Sequence, residues 1–152
     1  MSGVLPYSEG SVFAVSLRKG GYARGVVARA APEGKVLFGH FFGPKLNSLD
    51  EVNLEDIEPG KSILSVIFGD LGLINGEWRI IGSLPNWQRG AWSMPDFLRR
   101  DPIRRRAWRI RYSDLDPSKL ENEVPTEFDA NLPPDLTSGY GAVELKLTKL
   151  LG

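Results

Sequence analysis

The sequence predicts a mostly β, α+β fold: a strongly bent antiparallel sheet or a small, partly open barrel with one or two short helices. Three observations predict it. Residues 11–17 alternate, with Phe13, Val15 and Leu17 on one side and Val12, Ala14 and Ser16 on the other, the period-two signature of a half-buried strand. Residues 36–42, Val-Leu-Phe-Gly-His-Phe-Phe, are apolar on both faces, as a central strand covered on each side must be. Finally, Asn75-Gly76 stands between two apolar runs, and this dipeptide readily takes the two positive φ values of a tight hairpin turn.

The elements follow in order. Arg18-Lys19-Gly20-Gly21 turns the chain after the first strand, and residues 22–31 form a second one rich in small residues, where Gly25 allows close backbone approach or a bulge. Pro32-Glu33-Gly34 turns it again into the central strand, which Gly43-Pro44 ends. Residues 46–60 are polar and acidic, with room for a short helical turn. A strand over 62–68 comes next. The Asn-Gly turn then predicts a hairpin that pairs Leu73 with Trp78 and Leu71 with Ile80, so that Trp78 packs on an apolar face.

Beyond Gly82 the pattern weakens through a loop carrying Trp87 and Trp92. Ser93-Met94-Pro95-Asp96 has the form of a helix start, with Ser93 as cap, and Pro102 limits that helix to a few residues that bury Phe97 and Leu98. Residues 108–112 alternate as a strand, with Trp108, Ile110 and Tyr112 inward and Arg109 and Arg111 outward. Residues 113–141 hold four prolines and seven acids, which makes them a poor core former: a long surface excursion or a partly ordered one. Residues 142–151 fit either a strand or a helix, and their length favours the helix. The expected organisation is therefore a single domain over residues 1–152, with a β core at 10–112, the acidic excursion, and a C-terminal element.

The 152 residues contain 19 basic and 19 acidic side chains, one His and no Cys. Thiol catalysis, thiolate metal sites and disulfides are thereby excluded, which suits a reducing compartment and an expected cytoplasmic location. The start of the chain lacks a basic segment followed by an apolar run, and no stretch approaches the ~18 apolar residues of a membrane span. The charges are unevenly placed. Residues 99–111 carry seven arginines against Asp101, whereas Asp114, Asp116, Glu121, Glu123, Glu127, Asp129 and Asp135 face only Lys119. A smaller acidic cluster comprises Asp50, Glu51, Glu55, Asp56 and Glu58. Such blocks either neutralise one another inside the fold or present a potential to a partner.

No catalytic constellation can be assembled. His40 is the sole imidazole and sits in an apolar strand, so it reads as an ordinary half-buried or edge histidine rather than part of a triad or metal site. The Gly-rich spots lack the Lys-Ser/Thr or strand-helix setting of a phosphate cradle and are turns. Neither a cofactor nor a metal is implied. The arginine block with Trp87, Trp92, Trp108 and Tyr112 raises a second possibility, a small β-barrel module binding RNA or single-stranded DNA. The zero net charge and the acidic tract behind the arginines argue against it. An enzyme acting through a carboxylate pair is a third reading, with no pair singled out by spacing.

The order of motifs carries more. Residues 10–17, Gly-Ser-Val-Phe-Ala-Val-Ser-Leu, precede Gly21-Tyr22-Ala23-Arg24-Gly25 and, later, Gly76-Glu77-Trp78-Arg79-Ile80-Ile81-Gly82 before Pro85, then Pro95-Asp96-Phe97. Over roughly residues 10–112 this resembles the immunity protein 26 family of bacterial polymorphic toxin systems. It departs from the family at Ser16-Leu17, where a Pro-Leu is expected. The resemblance implies a mostly β intracellular protein, with no catalysis of its own, that binds and blocks a cognate toxin domain made by the same cell. A nuclease toxin has a basic active site that carboxylates can mimic phosphates to reach. Asp50, Glu51, Glu55, Asp56, Asp114, Asp116, Glu121 and Glu123 are then the candidate contacts. Trp87 and Trp92, or the arginine face, serve as anchors for another kind of toxin.

Overall fold

The structure, a computed structural model, describes residues 4–152. Its strands are β1 (Ser11–Ser16), β2 (Tyr22–Ala30), β3 (Val36–Leu46), β4 (Leu64–Gly69), β5 (Arg79–Ser83), β6 (Phe97–Asp101), β7 (Arg106–Ser113), β8 (Asp116–Thr126) and β9 (Thr137–Ser138). Two α-helices accompany them, the single turn α1 (Leu71–Ile74) and α2 (Tyr140–Leu151). Six strands form one sheet in the order β5-β1-β2-β3-β4-β9, and β6-β7-β8 form a second. All neighbours are antiparallel except β4 and β9. The large sheet bends without closing, as the first of the two expected architectures requires.

Alternation decides what each face buries. Phe13, Val15, Val27, Phe41 and Phe68 project to one side, where Trp78, α2 and Tyr7 cover them. Phe13 stacks on Trp78 with ring centroids 5.5 Å apart. That ring also lies over Gly25, where a Cβ would come within 2.4 Å of it, so the small residue in β2 is a packing requirement. Val12, Val26, Phe38, Phe42 and Ile67 project to the other side, against Phe97 and Ile110 of the small sheet and Trp92. The central strand is covered on both faces, as its composition demands.

Helix α2 packs Val143 and Leu147 into the core and is tied to the sheet through Glu144, Thr148 and Gly141. Glu144 accepts from Trp78 Nε1 at 2.9 Å and from Arg18 Nε at 3.2 Å, which satisfies a buried indole and a buried acid together. No helix among the described residues is long and apolar enough to cross a membrane.

Four expectations change. Asn75-Gly76 does not close a hairpin. Gly76 takes φ +81°, but Asn75 stays right-handed at φ −86°, and residues 71–74 form α1. Gly72 sits beneath the Trp78 ring, and its carbonyl accepts from Trp78 N at 2.9 Å, so tertiary packing of the indole overrides the local turn signal. β5 pairs with β1 instead. The helix expected from Ser93 is also absent. Ser93 Oγ donates to Gly90 O rather than capping, and Phe97–Asp101 pairs with β7, placing Phe97 opposite Ile110. Within residues 113–141, Asp116–Thr126 forms the edge strand β8. The chain then returns along β6, where Leu98 N donates to Pro133 O and Asp135 N to Leu98 O, before reaching β9 and α2. Lastly, Trp92, expected in a loop, is buried in the core, more so than Trp108, which faces inward as expected but is only half-buried.

Candidate functional site

One cavity gathers side chains from two of the segments that the sequence singled out. It encloses about 200 Å³ and is lined by Leu54, Glu55, Ile57, Leu84, Trp87 and Trp92 among others. The two tryptophan rings lie 5.7 Å apart at a 32° tilt. Trp92 is the fixed one, edge-on to His40 at 5.3 Å and to Phe42 at 5.9 Å. Trp87 leans over Gly10, whose φ of +89° and lack of a side chain make room for the ring. Trp87 therefore offers a half-buried aromatic face on a rigid backing.

The opposite wall is the acidic segment, and a buried arginine holds it there. Arg24 stands in β2 with 4% of its surface exposed. Its guanidinium donates to Asn53 O at 2.8 Å, to Asp56 Oδ1 at 2.5 Å and to Gly43 O at 2.7 Å, leaving Nε alone without a partner. Asp56 is thus a tether, and Ile57 behind it is buried. Glu55, just before Asp56, is exposed. Among the described residues Asp50, Glu51 and Glu55 form no ion pair, although Glu51 accepts from Asn47 N at 2.7 Å. All three carboxylates are exposed; of them only Glu55 lines the tryptophan cavity, whereas Asp50 lines a separate one beside Arg79.

The second acidic block is arranged differently. Asp114 receives Arg29 Nε at 2.7 Å and also binds Arg89, and the Arg29 hydrogen bond above all holds its carboxyl below the usual range. Asp116 accepts from Ser118, which lowers its carboxyl too. Glu123 and Asp135 both pair with Arg99, and Asp96 pairs with Arg109 and Arg111. Glu121 is exposed on β8 and forms no ion pair among the described residues. Glu55, Trp87 and Trp92 are therefore brought together, with Asp50, Glu51 and Asp56 on the same segment. Asp114 meets the tryptophan loop through Arg89, whereas Asp116, Glu121 and Glu123 lie along β8.

Sequence reasoning missed Arg24 and Arg29, the two residues that fix these blocks. The available signal was a charged side chain in an otherwise apolar strand, which must find a partner or disrupt the core. His40 is buried, with Nδ1 2.7 Å from Ser65 Oγ and Nε2 unpartnered. Burial, reinforced by the charge of Arg29, pushes its pKa down to about 4. At neutral pH the ring is an uncharged member of the core beside Trp92.

No curated protein and no solved structure matches this chain. The family model of immunity protein 26 matches residues 8–109, a span that contains the first five strands, Arg24, Glu55, both tryptophans of the cavity and β6. With about two thirds of its length in that match, the chain belongs to the immunity protein 26 family.

Proposed function

We propose that this immunity protein acts by binding a cognate toxin domain and blocking it, without chemistry of its own. The surface that makes first contact is the Trp87–Trp92 cavity with Glu55 on its wall, followed by Glu51 and Asp50 earlier in the same segment. One observation carries the assignment: Glu55, an exposed carboxylate with no ion pair among the described residues, and a half-buried tryptophan line one concavity. Aromatic anchors in a preformed recess supply binding energy, while exposed charges of one sign steer association. The acidic edge suits a basic face on the toxin, as the active site of a nuclease presents.

The experiment is co-expression with the toxin encoded in the adjacent open reading frame. Growth should be rescued, and the two proteins should co-purify. Trp87→Ala combined with Glu55→Lys should abolish rescue while the variant remains folded. Rescue without any physical association would overturn the reading, as would a neighbouring frame that encodes no toxin.

A further inference from the structure

The arginine block is left over by this assignment, and the fold resolves it into two parts. Arg99, Arg109 and Arg111 are neutralised by Asp96, Glu123 and Asp135. Arg100, Arg104, Arg105 and Arg106 form no ion pair among the described residues, and they cluster at the tip of the β6–β7 hairpin. Asp101, the acid nearest in sequence, is occupied in shaping the turn, where its Oδ1 accepts from the backbone of Ile103 and Arg104.

Three features make this tip more than a solvated charge run. Ile103, at the apex, is 94% exposed, an apolar side chain with nothing covering it. Arg105 adopts φ +51°, the left-handed region where hairpins ordinarily place Gly or Asn, so a long cationic side chain is kept at a backbone cost. The guanidiniums of Arg105 and Arg100 lie 4.7 and 5.3 Å from the Phe128 ring centroid, which props them against the strap that follows β8. Beside them a cavity of about 380 Å³ is lined by Arg105, Arg106, Ala107, Trp108, Pro125 and Thr126.

We infer that this hairpin tip is a second docking element, fitted to an acidic face of the toxin; the inference rests on the binding function proposed above. The partner's chemistry follows from the residues. Guanidiniums take carboxylates in paired hydrogen bonds, and Arg with a bulky apolar neighbour is a composition enriched where protein interfaces are strongest. An apolar apex has no use on a phosphate backbone, and Phe128, already under two arginines, is not open for base stacking. The exposed acids Glu127 and Asp129 next to it would repel a long polyanion while leaving space for a short acidic patch. Together with the acidic cavity edge, the tip gives the molecule two poles of opposite sign that fix the toxin's orientation.

The test measures association of the purified chain with the protein from the adjacent frame at low and high salt. Arg104→Glu, Arg105→Glu and Arg106→Glu together should slow association at least about tenfold at low salt, with the difference shrinking as salt rises. Arg105→Gly relieves the left-handed backbone, so it should melt no earlier than the parent and still bind more weakly. That combination separates a binding role from a folding role. If the parent chain does not bind the adjacent product at all, the proposed function fails and this inference with it. If the parent binds and both variants match its rate and salt dependence, the inference alone is overturned. Loss of binding to a 20-nucleotide poly-uridine probe, with toxin binding unchanged, would assign the tip to nucleic acid and overturn it equally.

Discussion

The two acidic blocks differ in what lies behind them. Residues 114–135 are rich in acids, yet Asp114, Glu123 and Asp135 are consumed by Arg29, Arg89 and Arg99. Residues 50–58 have fewer acids, yet Asp50, Glu51 and Glu55 are without ion pairs and only Asp56 is tethered inward. Among the described residues the longer block keeps four of its seven acids unpaired, Asp116, Glu121, Glu127 and Asp129, hardly more than the three that the shorter block keeps. Charge counted along a chain is a quantity of the unfolded polymer, whereas a partner meets only what the fold leaves unpaired.

Mutations can break or sharpen this contrast. The largest effect on stability should come from Asp114→Ala, which strips the counter-charge from Arg29, a guanidinium only 3% exposed. Because Asp114 itself is 57% exposed, water screens the pair and the cost falls below that of a fully buried one, to about 2 kcal/mol, read as a drop in the denaturant midpoint with unchanged m-value. Asp56→Ala should cost less, about 1 kcal/mol, because Asp56 pairs with Arg24 alone whereas Asp114 holds both Arg29 and Arg89, and it should open residues 47–58 to limited proteolysis. At the other extreme, Asp50→Ala and Glu121→Ala should each stay within about 0.5 kcal/mol of the parent. The combination Asp50→Lys, Glu51→Lys and Glu55→Lys should be as benign for folding and still slow toxin association about tenfold at low salt.

Acid should separate the pinned carboxylates from the core that carries them. The His40 pKa is about 4 in the folded chain against an ordinary value of 6.5, so between these the unfolded chain binds a proton that the folded one excludes. Stability therefore falls as pH drops through that window, by roughly 3 kcal/mol once pH is below the lower value. Asp114, whose carboxyl is held low, remains ionised throughout it. A pH series of urea melts on the parent and on His40→Gln should show the slope in the first and a flatter curve in the second.

What the sequence disclosed was periodic and local. The strands from β1 to β4, the double-sided burial of residues 36–42 and the close packing at Gly25 were legible, because alternation and small residues report directly on a sheet. The single turn α1 and the strand β6 were not. In both places a turn or cap signal was present, and side-chain packing or strand pairing decided the outcome: Trp78 over Gly72 in one, Ile110 opposite Phe97 in the other. The strand β8 was hidden for a different reason. It lies on an exposed edge, with almost every side chain in solvent, so it lacks the alternation that burial imposes. Of the candidate site, Glu55, Trp87 and Trp92 could be named from residue type, but their convergence depends on Arg24, which no spacing rule connects to Asp56 across 32 positions.

Arg24 and Arg29 stand an odd number of steps apart in β2, and a regular pleat would send them to opposite sides of the sheet. The register slips between Val27 and Arg29, and this bulge restores the parity, so that both reach acids on the side of the small sheet. Lengthening the strand there by one codon would swing the Arg29 charge into the apolar layer under α2, and would therefore be purged. Shortening it by Ala28 would leave that charge where it is. Insertions and deletions at this point of the gene should accordingly be unequal in their effect, an asymmetry that substitutions alone would never reveal.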